Sequence, residues 1–147
     1  MSGGLRLLAA AVTAPWLVGY GVTGAWAVTR GARAAADGLS SVDVGYPRLV
    51  TPPGVIFVGA LLLAGFAVLL AAAILVLYDA RGRGQWAAVC VVAALLTAGS
   101  VWAAASGGLH PGRWLLFFGG LLYATALSLV ELLRVTPAAG RDTIAGP

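Results

Sequence analysis

The chain has very little charge and few reactive side chains. Only 10% of its 147 residues are charged, lysine and asparagine are absent, and there is one cysteine, Cys90, and one histidine, His110. A lone cysteine excludes an internal disulfide and a dithiol redox couple. His110 has no cysteine and no paired carboxylates near it in sequence, whereas a metal site needs several such ligands. We therefore predict no cofactor and no metal, and we interpret His110 as a polar loop residue.

Sequence motifs of common enzymes are also missing. The chain has no nucleophile elbow, kinase motif set or phosphate-binding loop. The glycines of GYGVTG, residues 19–24, match the spacing of a dinucleotide-binding fingerprint, but they lie inside an apolar run. The fingerprint needs a strand before it and an amphipathic helix after it. We interpret these glycines as points where another helix approaches closely, and we predict no catalytic residues.

Most residues of the chain are apolar. Hydrophobic residues make up 61% of it, and the mean hydropathy is +0.96, too apolar for a soluble domain of this length. Four apolar runs, at about 7–28, 55–77, 86–105 and 114–133, are each long enough to cross a bilayer core. They lack the alternating polarity of membrane β-strands. We predict an all-α, integral membrane four-helix bundle that forms one membrane domain over residues 1–147.

The joints between the runs favour short antiparallel connections. Pro52 and Pro53 precede the second run and Pro111 precedes the fourth, where proline fits a helix start. Glycines in RGRG, residues 81–84, predict a tight turn between the second and third helices. Only residues 29–54 form a long connection, for which we predict turns rather than a helix.

Arginine placement predicts the orientation. Four spans put both termini on one side, and the arginine count is five on that side against four on the other. Because arginines near span ends favour the cytoplasm, we expect cytoplasmic termini and an outward-facing loop at residues 29–54. The small difference also permits dual insertion. The two sets are Arg6, Arg81, Arg83, Arg134 and Arg141 on the terminal side, and Arg30, Arg33, Arg48 and Arg113 on the other.

The first run has a second interpretation. It follows a basic start, and Ala25, Trp26 and Ala27 have the small-x-small form of a signal cleavage site. A signal core is about 7 to 15 residues long, shorter than this run, which favours a retained span. The lack of lysine and asparagine beside abundant alanine, glycine and arginine is typical of a GC-rich bacterial genome, so we predict a multi-pass protein of the bacterial inner membrane.

Glu131 is the one acidic residue inside an apolar run. Carboxylates within membranes are expensive and often functional. Glu131 nevertheless lies close to the end of its run, and Arg134 is three residues further on, on the same helical face. We interpret Glu131 and Arg134 as an ion pair at the membrane interface. The alternative is a carboxylate that couples protons or substrate, although the other three runs hold no charged residue to relay them.

Small residues define candidate packing faces on the helices. In the fourth run Gly120, Ala124 and Ser128 repeat every four residues, so they share a face that another helix can approach closely. Similar but weaker stripes occur in the other runs. They are Ala10, Ala14, Gly21 and Ala25 in the first; Ala60, Ala64, Ala67 and Ala71 in the second; and Cys90, Ala93, Thr97, Ser100 and Ala104 in the third.

These features favour a structural function. The net charge of +4 comes from scattered loop arginines without an aromatic-interleaved basic patch, so we predict contact with lipid head groups and no binding to nucleic acid. The expected partners are the lipid bilayer and either a larger membrane-protein complex or further copies of this chain. We predict a non-catalytic accessory subunit of a membrane assembly. The alternative is a small transporter or channel that acts as a homo-oligomer, and a membrane enzyme ranks third.

Overall fold

The fold consists of four long helices. The structure, a computed structural model, describes residues 3–44, 50–107 and 110–136. The described ranges contain no strand, and all four helices are long and apolar enough to cross a membrane. The predicted all-α four-helix bundle is therefore confirmed. The helices are α1, Gly3–Ala36; α2, Pro52–Leu77; α3, Arg83–Gly107; and α4, Pro111–Val135.

The helices alternate in direction, which gives the bundle two distinct ends. At the Asp79 end α1 and α3 begin and α2 and α4 end, whereas at the Pro52 end α1 and α3 end and α2 and α4 begin. The α2 helix is central, because it packs against each of the other three. Its fully buried Leu69 meets Leu121 and Ala124 of α4 and Ala93 of α3 in the main hydrophobic cluster.

The α1 and α2 helices approach each other unusually closely. A Cβ atom built on Gly59 of α2 would lie 2.9 Å from the carbonyl oxygen of Gly24 in α1, and one on Gly31 would lie 2.7 Å from Ile56 Cγ1. Backbone atoms thus pack directly on backbone atoms, as in small-residue interfaces of membrane helices. Of the three glycines in GYGVTG, Gly24 is at this contact, whereas Gly19 has no neighbouring atom within 4 Å of its Cβ position.

The turn between α2 and α3 is built by an aspartate rather than by the glycines of RGRG. Asp79 has φ of 49°, the left-handed conformation in which glycine is the usual residue. The N–H of Ala80 donates to the Leu75 carbonyl and that of Asp79 to the Val76 carbonyl, which together form a Schellman motif. Gly84, predicted to lie in the turn, is inside α3. Aspartate tolerates this conformation better than most residues.

His110 has a defined role in the last connection. It is the N-cap of α4, where its Nδ1 accepts a hydrogen bond from the backbone N–H of Gly112 at 3.2 Å, and Pro111 follows as the first helical residue. A cap satisfies an N–H that has no partner within the helix. The sequence interpretation of His110 as general loop polarity missed this function.

The long connection is shorter than predicted, because α1 continues through residues 29–36. Val42 and Val50 then pair through two backbone hydrogen bonds of 2.7 and 3.2 Å. Val42 is buried with Ala34 of α1 and Val55 of α2. The segment is therefore anchored on the Pro52 end of the bundle. Residues 45–49, which contain Arg48, lie outside the described residues, as does Arg141.

Candidate functional site

Charged residues from distant parts of the chain meet at the Asp79 end. The two carboxylate oxygens of Asp79 bind different arginines: Oδ2 lies 2.9 Å from Arg6 Nη2 of α1, and Oδ1 lies 3.0 Å from Arg134 Nη2 of α4. Arg134 also reaches Glu131, at 3.3 Å between Nη1 and Oε2. The exposed Arg81 adds a longer contact of 3.6 Å to Asp79. We call Arg6, Asp79, Glu131 and Arg134 the ion-pair cluster.

Glu131 forms the pair with Arg134 that its spacing suggested, but in a different environment. The residue is only 4% exposed, whereas the sequence interpretation placed it at the membrane interface. The reason is its register: Glu131 lies three residues after Ser128 and seven after Ala124, on the inward face of α4, and all three are buried. The carboxylate therefore lies between helices, with Arg134 as its bridge to Asp79.

The arginines keep Asp79 ionised. Desolvation, the largest single influence, raises the pKa of Asp79, but the hydrogen bond from Arg134 and the charges of Arg6, Arg81 and Arg134 together bring the pKa below its ordinary value of 3.8. A lowered pKa means that the ion pairs are complete above that ordinary value. They are lost only as the pH falls through the lowered pKa. Asp79 is thus ionised at neutral pH.

The ion-pair cluster leaves almost no space for a ligand. Leu75, Val76 and Ala80 line the gap beside the charges, and the volume open to a water-sized molecule there is close to 0 Å³. Trp86 forms one wall; it is 1% exposed and donates from Nε1 to the Ala80 carbonyl at 2.9 Å. The charged groups therefore bind one another. In this conformation the cluster connects the helix ends and has no room for a ligand.

Hydroxyl groups continue from the ion-pair cluster along the interface between α3 and α4. The Oγ1 atoms of Thr97 and Thr125 are 3.3 Å apart, and Trp114 Nε1 of α4 donates to Ser100 Oγ of α3 at 3.1 Å. Ser128, one turn from Glu131, donates to the Ala124 carbonyl. We call Ser128, Thr125, Thr97 and Ser100 the hydroxyl row. Such bonds hold membrane helices together, since lipid offers polar groups no alternative partner.

The predicted packing face of α4 lies inside the bundle. Gly120, Ala124 and Ser128 are all buried. A Cβ atom on Gly120 would lie 2.9 Å from Trp16 Cγ and 3.0 Å from the Tyr20 hydroxyl oxygen, so α1 packs directly on this position. The Tyr20 hydroxyl is the one fully buried side-chain polar atom without a hydrogen-bond partner among the described residues.

Two of the weaker predicted stripes are wrong. In α2, Ala60 and Ala67 are exposed, and the close contacts are made by Gly59 and Gly65 instead. In α1, Ala14 and Ala25 are exposed, and the buried residues are Thr13, Tyr20, Gly24, Ala27, Gly31 and Ala34. Small side chains allow close approach but also face lipid without cost. The α3 stripe does face the bundle, because Ala93 and Ser100 are fully buried and the others are half-buried.

The four spans define the chain as a multi-pass α-helical membrane protein. The described residues contain no group of three or more histidine, cysteine, aspartate or glutamate side chains that could hold a metal ion. No protein-family model matches the chain, and comparison with curated proteins and with solved structures gives no match. The function must therefore be inferred from the ion-pair cluster and the helix interfaces themselves.

Proposed function

We propose that the protein is a non-catalytic structural component of the bacterial inner membrane, either an accessory subunit of a membrane assembly or a homo-oligomer. The observation that carries this proposal is the closed state of the ion-pair cluster. Glu131 is the one charged residue buried within the described residues, and its carboxylate is bound by Arg134 without space for a ligand beside it. A group held in this way favours a structural role over binding.

The connectivity of the ion-pair cluster supports the same proposal. Asp79 joins the start of α1, through Arg6, to the end of α4, through Arg134. Further along, the Tyr123 hydroxyl of α4 donates to the Ala9 carbonyl of α1 at 2.9 Å. The first and last helices are therefore tied at one end by charge and within the bundle by a hydrogen bond. A rigid bundle with a lipid-compatible surface suits a subunit that supports other membrane proteins.

The proposed orientation places the Asp79 end in the cytoplasm. The RGRG turn and both chain termini belong to that side, and the arginine count of five against four favours it. The Pro52 end, where the outward loop at residues 29–54 was predicted, would then face outward. Dual insertion, which would produce antiparallel dimers, is the corresponding alternative.

The alternative function, a small transporter or channel, has one specific observation in its favour. Glu131 is buried, and the hydroxyl row leads from it toward Trp114 near the start of α4. Buried carboxylates followed by polar groups occur along proton and cation pathways. In this alternative Glu131 would exchange its partner Arg134 for a proton or cation during transport.

Replacement of Glu131 by glutamine distinguishes the two functions. The glutamine side chain keeps the shape of the glutamate and can still accept a hydrogen bond from Arg134, but its end of that bond is no longer charged. Because Glu131 is buried, a structural role predicts a loss of about 1 to 3 kcal/mol. The purified variant should melt below the parent but still copurify with the same partners after mild detergent extraction. In liposomes, neither parent nor variant should carry protons or cations above the background of empty vesicles.

Arg134→Gln is the comparison variant, because it breaks the same ion pair, together with the pair to Asp79, and leaves the ionisable group at Glu131. A structural role predicts that both variants change stability without changing transport. If the parent moves protons or cations and Glu131→Gln abolishes that flux at normal protein levels while Arg134→Gln retains it, the structural proposal is wrong. Glu131 would then be assigned to transport.

A further inference from the structure

An open pocket of about 540 Å³ lies at the Pro52 end, away from the ion-pair cluster. Its walls are the last turns of α1 and the segment that follows, which includes Val42. The pocket combines an aromatic ring, Trp26, with two guanidinium groups and two carboxylates. Its charged members are Arg30, Arg33, Asp37 and Asp43. A volume of this size is typical of sites for small molecules.

When α1 spans a bilayer, the inner part of the pocket lies at the depth of lipid head groups. The apolar run of α1 ends at Val28, and a rise of 1.5 Å per residue puts Arg30 and Arg33 about 3 and 8 Å beyond it. The head-group layer on each side of the hydrocarbon core is about 5 to 8 Å thick. Trp26, which is 48% exposed, has the position of an interfacial tryptophan. Asp37 is nine residues past Val28, about 14 Å further along the helix axis, and so lies on the water side of this layer.

The charged groups of the pocket are placed in a defined order. The Arg30 guanidinium lies over the Trp26 ring, 5.4 Å from its centroid, and donates to the Asp43 carbonyl at 3.1 Å. Arg33 and Asp37 form no ion pair with any residue of the described chain. Positive groups thus lie close to the hydrocarbon, and a carboxylate that can accept a cation lies further out.

We propose that this pocket binds the zwitterionic head group of a phosphoethanolamine lipid, with its phosphate on Arg30 and Arg33 and its ammonium group on Asp37. Guanidinium groups bind phosphate through paired, charge-assisted hydrogen bonds. In a phosphoethanolamine lipid the ammonium group follows the phosphate on the side away from the acyl chains. This order matches that of the two arginines and Asp37 along the chain. A purely anionic head group matches less well, because it offers no cation to the carboxylate of Asp37.

Lipid retention by the full-length chain tests the proposal. The purified protein in detergent micelles is mixed with equal amounts of phosphatidylethanolamine and phosphatidylglycerol, and the bound lipids are counted by native mass spectrometry. The parent should retain phosphatidylethanolamine preferentially. The double variant Arg30→Gln, Arg33→Gln should lose that retention by at least about tenfold, since it removes both phosphate donors. Asp37→Asn should retain lipid but lose the preference for phosphatidylethanolamine.

The matched control is Arg83→Gln with Arg113→Gln, which removes the same charge from two sites outside the pocket. It should retain phosphatidylethanolamine like the parent. Soluble phosphoethanolamine is added in a separate arm and should compete weakly, because it lacks the acyl chains that hold the lipid at the interface. No preference in the parent, or an equal loss in the control, would overturn the proposal. Complete displacement by low concentrations of soluble phosphoethanolamine would overturn the assignment to a lipid.

Discussion

Alanine at Gly59 should weaken the bundle through a single methyl group. The added Cβ would lie 2.8 Å from Val28 Cγ2 and 2.9 Å from both the Val28 nitrogen and the Gly24 carbonyl oxygen, whereas ordinary contacts are 3.4–4 Å. Two of these neighbours are backbone atoms, which cannot rotate away. The α1 and α2 helices must therefore separate by about 0.5 Å or more, and overpacking of this kind costs about 1 to 3 kcal/mol.

A helical glycine replaced by alanine also gains helix propensity, which partly offsets that cost. The gain is about 0.8 to 1 kcal/mol, so the net loss for Gly59→Ala should be about 1 kcal/mol and at most about 2. Gly19→Ala is the matched control: it lies in α1, and nothing comes within 4 Å of its Cβ position. It receives the gain without the cost. We therefore expect the two variants to differ by about 2 kcal/mol.

Reversible unfolding in mixed micelles measures this difference. The fraction of sodium dodecyl sulfate is raised stepwise, tryptophan fluorescence follows unfolding, and the free energy is extrapolated to native micelles. Gly59→Ala should unfold at a lower detergent fraction than the parent, and Gly19→Ala at the same or a higher one. Equal stabilities of the two variants would refute the close backbone contact of α1 and α2. In the structure, a leucine at position 59 has no room, so Gly59→Leu should prevent folding. If Gly59→Leu folds like the parent, the contact is likewise refuted.

Three further predictions concern the core and the orientation. Ala124→Leu overfills a fully buried position and should cost about 1 to 3 kcal/mol; an unchanged melting temperature and oligomer size would mean that this face meets lipid. Tyr20→Phe removes a buried hydroxyl that has no partner, so detergent melting should show equal or greater stability, by up to about 1 kcal/mol; a clear loss would reveal a partner. Reporter fusions at Arg83 and Gly45 should give cytoplasmic and outward signals respectively. Equal signals from both orientations would indicate dual insertion. Reversed signals would contradict the arginine count.

The four helices were predictable because the thickness of the hydrocarbon core fixes the length of an apolar run. Their limits were less predictable, and α1 shows why. Its apolar run ends at Val28, but the helix continues to Ala36. Residues 29–36 contain no proline and several alanines, so the helix persists into the head-group layer, where arginine side chains are solvated. Hydropathy reports the extent of hydrocarbon contact, whereas the helix ends where the backbone turns at Gly38, with φ of +69°.

Packing faces were predictable only where polar residues accompany the small ones. In α4, Ser128 and Glu131 extend the line of Gly120 and Ala124, and buried polar atoms require protein partners. In α2 nearly every side chain is apolar, with alanines on both exposed and buried sides. Lipid and a neighbouring helix are equally apolar surroundings. No pattern in the α2 sequence could therefore separate the Gly59 face from the face of Ala60 and Ala67.

Only one contact of the ion-pair cluster, that between Glu131 and Arg134, could be predicted from the sequence. Glu131 and Arg134 are three residues apart on one helix, so local spacing suggested their contact. Asp79 lies 55 residues from Arg134, and Arg6 lies at the opposite end of the chain. Span counting does put all four at one end of the bundle, which is the signal that sequence analysis could have used. The pairing itself depends on how α1 and α4 are rotated, and the arginine count does not contain that information.

The backbone of Asp79 links the turn to the ion-pair cluster. Glycine would adopt the left-handed conformation at this position without strain, yet the chain has an aspartate there, with φ of 49°. A glycine would complete the same Schellman motif but would leave Arg6 and Arg134 without their shared acceptor. The chain therefore has at this position a carboxylate that binds both arginines, although glycine would adopt the backbone conformation more easily. That carboxylate joins the first helix to the last. The turn thereby holds the two helices together at this end of the bundle, in agreement with the proposed structural function.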